Sequence, residues 1–170
     1  MLHCLSNDVV GGGSTLVDGL SAIDQLRAEA PDLLRAITTV RPTFRYEDRH
    51  AILEHAAPLV EIGDDGRVWQ VRFSNRTEYV APLPPAELEV YYAGRRRFAQ
   101  ILRDPSLVKH FRFSPGMLLI MDNYRCLHGR ARYDSASGTR HLQLCFMDRD
   151  VVASRLRVLL RAAQDPSSLR

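Results

Sequence analysis

The sequence predicts an α+β fold, mainly β with helices inserted between the strands. Short runs of period-two alternation recur along the chain, and one pair is joined by an Asp-Asp-Gly turn. Other segments keep helical spacing, around residues 18–37, 84–104 and 150–163. The two kinds do not alternate regularly, which argues against a doubly wound nucleotide-binding fold.

Each element follows from local pattern. "MLHCLSNDVV" opens as a strand without a polar lead-in, and "GGGS" at 11–14 is a turn. "TLVDG" is a short strand that ends at a helix start, with Asp18 as the cap. Leu20, Ile23 and Leu26 keep helical spacing to about Ala30, and Pro31 opens a further helical segment. "TFRYED" reads as a strand, and Leu59–Ile62 pairs with 68–73 as a hairpin. Pro84–Pro85 start a long helix with Leu88, Tyr91, Phe98, Ile101 and Leu102 on one face. "HFRFS", "GMLLIMD", "CLHGRARY" and "RHLQLCFM" read as strands, the second strongly apolar and buried. A last helix over roughly 150–163 is expected to bury Val151, Leu156, Leu159 and Leu160. This gives one domain over 1–163 and a disordered tail over 164–170.

Composition narrows the function classes. A chain of 170 residues, 45% hydrophobic, can bury one core. Its net charge of +3 comes from interspersed acids and bases, so no nucleic-acid partner is expected. The only basic run, Arg95–Arg97, falls on a helix and reads as a solvated face. Cys4, Cys126 and Cys145 form no CxxC pair, so a disulfide framework and a zinc site are not expected. A reducing, cytoplasmic setting fits best. No apolar run approaches the roughly 18 residues of a membrane span. No signal peptide is expected in residues 1–20, because no basic segment precedes an apolar core there. "GGG" lacks the spacing of a dinucleotide-binding loop.

The informative stretch is "DNYRCLHGRARYDSASGTRHLQLCF", Asp122–Phe146. A lone strand histidine such as His128 more often has a structural role than a ligand role. Here the apolar strand before it ends in Asp122–Asn123, and Arg130 follows at i+2 on the same strand face. Arg140 starts the next strand. If the two strands were antiparallel neighbours, His128 and Arg140 would point into one cavity. A guanidinium there suits a carboxylate, which its planar fork binds through two hydrogen bonds.

"MDNYRCLHGRARY…TRHLQ" resembles the C-terminal half of the iron(II)- and 2-oxoglutarate-dependent dioxygenases of the taurine dioxygenase type. It is most similar to the branch with γ-butyrobetaine and trimethyllysine hydroxylases. Asp122, Asn123, Tyr124, Arg125, His128, Gly129, Arg130 and Arg140 match the pattern, with Tyr124 where tryptophan is usual. "LHCLSNDVVGGGSTLVDGL" is similar to a further segment, with Gly13 where aspartate is usual, and "DRDVVASRLRVL" resembles the closing helix.

The resemblance implies a distorted double-stranded β-helix (jelly roll) with helices outside, here incomplete. It implies Fe(II) held by two histidines and a carboxylate, 2-oxoglutarate as cosubstrate, and ascorbate as an optional addition. The net reaction converts 2-oxoglutarate to succinate and CO₂ and hydroxylates an unactivated C–H bond. Residue by residue, it implies His128 as an iron ligand and Arg140 as the partner of the distal carboxylate. Ser14 is a candidate cosubstrate contact, with a turn hydroxyl as its equal alternative. Asn75 is a candidate contact to a substrate carboxylate, and a strand-end cap is the alternative. Phe146 is a candidate ring for a quaternary ammonium, and a core strand residue is the alternative. Asp122, Asn123, Arg125 and Arg130 are supporting residues.

No His-x-Asp or His-x-Glu occurs in the sequence to supply the other two ligands. The chain is therefore expected to be the C-terminal part of such a domain, a mispredicted start or a shortened paralogue, and inactive alone. The partner is expected to be a small-molecule substrate, with a homodimer compatible and a mitochondrial setting open. A non-catalytic binding or dimerisation module is the alternative.

Overall fold

The computed structural model describes residues 1–80 and 82–164. Strands β1 (Leu2–Asn7), β2 (Val10–Gly11) and β3 (Ser14–Asp18) lead into helix α1 (Gly19–Glu29). Asp18 caps α1 by accepting the Leu20 N–H at 3.1 Å, and Pro31 occupies the first turn of α2 (Pro31–Thr39). Two hairpins follow, β4 (Thr43–Glu47) with β5 (Ile52–Ala56) and β6 (Val60–Ile62) with β7 (Val68–Val71). β8 (Glu78–Tyr79) joins β4, and α3 spans Pro85–Ile101. The remaining elements are β9 (Lys109–Phe111), β10 (Leu118–Leu119), β11 (Cys126–Arg130), β12 (Tyr133–Asp134), β13 (Arg140–Leu144) and α4 (Arg149–Gln164).

The α+β class holds. All described strand pairings are antiparallel, and the key ones join distant parts of the chain. β1 is flanked by β10 and β13, β3 by β11 and β9, and β2 pairs with β12. The core lies where α1, α2 and α3 meet β3, β6 and β7, through Ile23, Leu26, Ile37, Leu59, Val71, Tyr91 and Phe98. Gly94 lets α3 approach α2, since a Cβ there would stand 2.7 Å from the Leu33 carbonyl oxygen. That contact explains a glycine in mid-helix, where alanine is intrinsically better by about 1 kcal/mol.

Three expectations are corrected. "GMLLIMD" is not a buried strand: only Leu118–Leu119 pairs, at the edge of β1, and Leu118 and Ile120 are 55% and 67% exposed. The turn at Gly116 (φ +86°) and the Asp122 turn pinch it from both ends. The closing helix forms, but Val151, Leu156, Leu159 and Leu160 are exposed and only Ala162 is buried. Helical spacing fixes which residues share a stripe, not what covers it. Finally, β11 and β13 are not neighbours, because β3 takes β11 and β1 takes β13. The helix includes Gln164, so the expected tail starts no earlier than 165, and residues 165–170 lie outside the described residues. Among the described residues no helix is long and apolar enough to cross a membrane.

Candidate functional site

Register sets the site. In the β3–β11 pair, Ser14 lies opposite Arg130 and Leu16 opposite His128. Directly opposed residues share a face, so Ser14, Leu16, His128 and Arg130 form one side of this ladder. Val17 and Leu127, on the other side, pack into the helical core. The core thus fixes the strands from behind and turns the polar set away from the helices.

His128 lines a cavity of about 240 Å³ with Phe44, Gln70, Phe73, Ser74, Asn123 and Cys126. The residue as a whole is exposed, and it borders this cavity. Burial of the ring pushes its pKa down, and the Met1 ammonium adds to the shift in the same direction. A lowered pKa favours the neutral imidazole, the form that binds metals. Among the described residues no group of three His, Cys, Asp or Glu side chains is placed to hold a metal ion.

Arg140 does not line this cavity; it lies on β13, opposite Asn7 of β1. Its Nε is buried and has no hydrogen-bond partner among the described residues. The Arg140 guanidinium stands 5.8 Å from the Tyr133 ring centroid, and that of Arg130 stands 4.5 Å from the same ring. So the structure brings Arg130 and Arg140 to one ring, sets Ser14 opposite Arg130, and sets Asn123 beside His128. Ser14 is buried, at 6% exposure. Gly12 keeps a positive φ of +70°, and a Cβ there would meet Tyr133 Cβ at 3.2 Å and Arg140 Nε at 3.7 Å.

The supporting residues build the loop that delivers β11. Asp122 Oδ1 accepts the Tyr124 N–H at 3.0 Å, and its Oδ2 accepts from Arg149 at 2.8 Å. The Arg149 guanidinium lies over the Trp69 and Tyr124 rings, at 5.0 and 4.9 Å from their centroids. Arg125 donates to both Asp18 oxygens, at 2.9 and 2.6 Å, and holds the Asp18 carboxyl below the usual range.

Asn75 is exposed and outside the His128 cavity; its Oδ1 accepts from Arg95 at 3.1 Å. Phe146 lies beyond β13 and is 72% exposed. Tyr133 and Asn7 were not singled out in the sequence. Neither residue carries a local sequence signal: β1 already holds the polar His3 and Ser6, and spacing does not mark Tyr133.

The chain as a whole is similar to known proteins in sequence and fold. The chain is 39% identical over 160 residues to the gamma-butyrobetaine dioxygenase of Pseudomonas sp. (strain AK-1), covering 94% of this chain and 42% of that protein. It is 29% identical to the gamma-butyrobetaine dioxygenase of Homo sapiens, covering 97% and 44%. With the mitochondrial trimethyllysine dioxygenase of Gallus gallus it shares 28% identity, covering 94% and 39%. The chain therefore spans about two-fifths of the length of these curated relatives. In fold it is similar to a taurine dioxygenase from Burkholderia xenovorans (TM-score 0.57, 18% identity, 83% of this chain and 49% of that one). It is also similar to an asparagine oxygenase solved with Fe(II), 2S,3S-3-hydroxyasparagine and succinate (TM-score 0.56, 22% identity, 83% and 42%). Residues 1–146 match the family model, and the chain belongs to the taurine catabolism dioxygenase TauD, TfdA family.

Proposed function

We propose that this chain forms part of an iron(II)/2-oxoglutarate-dependent dioxygenase that hydroxylates a small trimethylammonium substrate such as γ-butyrobetaine. The carrying observation is the 39% identity to a gamma-butyrobetaine dioxygenase over 94% of the chain. Trimethyllysine is the second substrate reading, favoured by 28% identity to an enzyme of that name. A cytoplasmic setting is part of this proposal.

The cosubstrate fits the residues present. Arg140 is a half-buried cation whose Nε lacks a partner, and no ion pair to it forms among the described residues. A desolvated guanidinium gains most from an anion that fills its donors. In this reading Arg140 binds the distal carboxylate of 2-oxoglutarate, and Ser14 contributes a hydroxyl beside it. The Tyr133 ring lies beside the guanidinium. His128 contributes a neutral imidazole, and Asn123 shares its cavity.

The iron does not fit these residues alone. His128 is one ligand, and a facial triad needs three. No metal-dependent step is assigned to them.

Two measurements test the reading. Calorimetric titration of the chain with 2-oxoglutarate should show saturable binding, and its absence would refute the role of Arg140. Sequencing of the transcript on the 5′ side of the Met1 codon decides between classes. An in-frame His-x-Asp or His-x-Glu supports the dioxygenase. An in-frame stop directly before Met1 supports a binding or dimerisation module instead.

A further inference from the structure

Two buried polar atoms of opposite character, on directly opposed residues, have no partner among the described residues. They are Asn7 Oδ1, an acceptor, and Arg140 Nε, a donor. Asn7 on β1 and Arg140 on β13 are register partners, so their side chains share a face. Asn7 is 5% exposed. Its amide has only one sensible orientation, because Nδ2 donates to the Phe113 carbonyl at 2.7 Å, where an oxygen would be repelled. Oδ1 is therefore the free end.

The backbone around Asn7 is held as well. The Arg112 guanidinium donates to the carbonyls of Asn7 (3.1 Å), Val9 (2.5 Å) and Gly11 (2.7 Å). Leaving either orphan unpaired is costly, and one water bridging them removes both costs.

We propose that Asn7 is a positioning residue for Arg140: its Oδ1 accepts, through one bridging water, the hydrogen bond that the Arg140 Nε–H donates, and this leaves the two Nη groups as the edge that meets a dicarboxylate. The inference rests on Arg140 as the cosubstrate arginine, and it adds which edge of the guanidinium does the binding. A guanidinium pinned at Nε loses rotational freedom before the ligand arrives, which strengthens binding without a new ligand contact. Tyr133 limits the ring side.

The test uses the ¹⁵N-labelled whole chain and follows hydrogen exchange of the Arg140 Nε–H by NMR. Exchange in the parent should be slow relative to free arginine. Asn7→Ala should speed it about tenfold and weaken 2-oxoglutarate binding by a similar factor. Asn7→Asp keeps an acceptor toward Nε, although it adds a charge and sets an oxygen against the Phe113 carbonyl, so slow exchange should persist. A purely structural role through the Phe113 bond would make the two variants alike, and that result would overturn the proposal. So would a parent Nε–H that exchanges at the free-arginine rate, a measurement that needs no variant to fold. If the parent failed to bind 2-oxoglutarate, the cosubstrate reading would fall, and the exchange rates would still decide the role of Asn7.

Discussion

Arg125 closes on Asp18 through two hydrogen bonds, Nε to Oδ1 at 2.9 Å and Nη2 to Oδ2 at 2.6 Å. One carboxylate thus caps α1 and holds the loop that leads to His128. Asp18→Ala should cost about 1–2 kcal/mol through loss of the cap. Asp18→Asn should retain most of the capping and lose the ion pair. Urea unfolding midpoints should therefore rank the parent first, then Asn, then Ala. Equal midpoints for the two variants would show that the cap contributes nothing. The folded carboxyl titrates below its ordinary value, chiefly because of Arg125. Its contribution is present above the unfolded pKa and is lost as pH falls through the folded one.

Glu78 is 3% exposed at its side chain and is met by Arg95 and by the Tyr91 hydroxyl, each at 2.7 Å. Arg95→Leu strands the buried carboxylate and should destabilise the fold by about 3 kcal/mol. A double change with Glu78→Gln should recover part of the loss, because the stranded charge is gone. Burial, then Glu78, pushes the Tyr91 phenol up. A spectroscopic titration should find Tyr91 still protonated when exposed tyrosines have ionised. Full tyrosine ionisation near pH 10 in the folded chain would contradict the described packing.

His128 carries a pH prediction of opposite form to that of an ion-paired histidine. Its pKa is lowered, first by burial and then by the Met1 ammonium. The unfolded chain therefore binds this proton more readily than the folded one. Stability from this group is full above the unfolded value near 6.5 and declines as pH falls toward the folded value. Below the folded value the loss levels off. His128→Gln should flatten this part of the profile. NMR titration of the ring checks it directly, and a His128 midpoint above that of an unfolded peptide would refute the assignment.

Much of this molecule was legible in the sequence because local rules apply to it. The Asp18 cap, the Pro31 and Pro85 helix starts and the hairpin around Asp64–Asp65 follow from propensity and turn chemistry. Pairing was not legible. His128 and Arg140 are twelve residues apart, yet each is paired by an N-terminal strand, β3 or β1. Such long-range register is set by tertiary packing, which no window of sequence reports. The apolar stripe of α4 misled for the same reason: periodicity names a face and says nothing of its neighbour. The matched residues of Asp122–Arg140 marked the candidate site, whereas Tyr133 and Asn7 join it only once three strands are assembled.

Arg140 carries the last prediction. Its guanidinium is half-buried near the Tyr133 ring, and no ion pair to it forms among the described residues. A dicarboxylate that binds there exchanges water for a planar, doubly hydrogen-bonded fork. Arg140→Ala leaves the ligand carboxylate desolvated and unpaired, at a cost of roughly 3–5 kcal/mol, or two to three powers of ten in affinity. Arg140→Lys should recover only part of this, because an ammonium keeps the charge and loses the fork. Arg130→Ala is the internal control. Arg130 approaches the same ring more closely, so its loss should loosen the site with a smaller effect on affinity. Calorimetric titration with 2-oxoglutarate, and with monocarboxylate 2-oxobutyrate as the comparison, reads all three variants. The parent should prefer the dicarboxylate strongly, and Arg140→Ala should abolish that preference. If Arg140→Ala left the 2-oxoglutarate constant within about twofold while Arg130→Ala raised it, the distal-carboxylate role would pass to Arg130, on the face shared by His128 and Ser14.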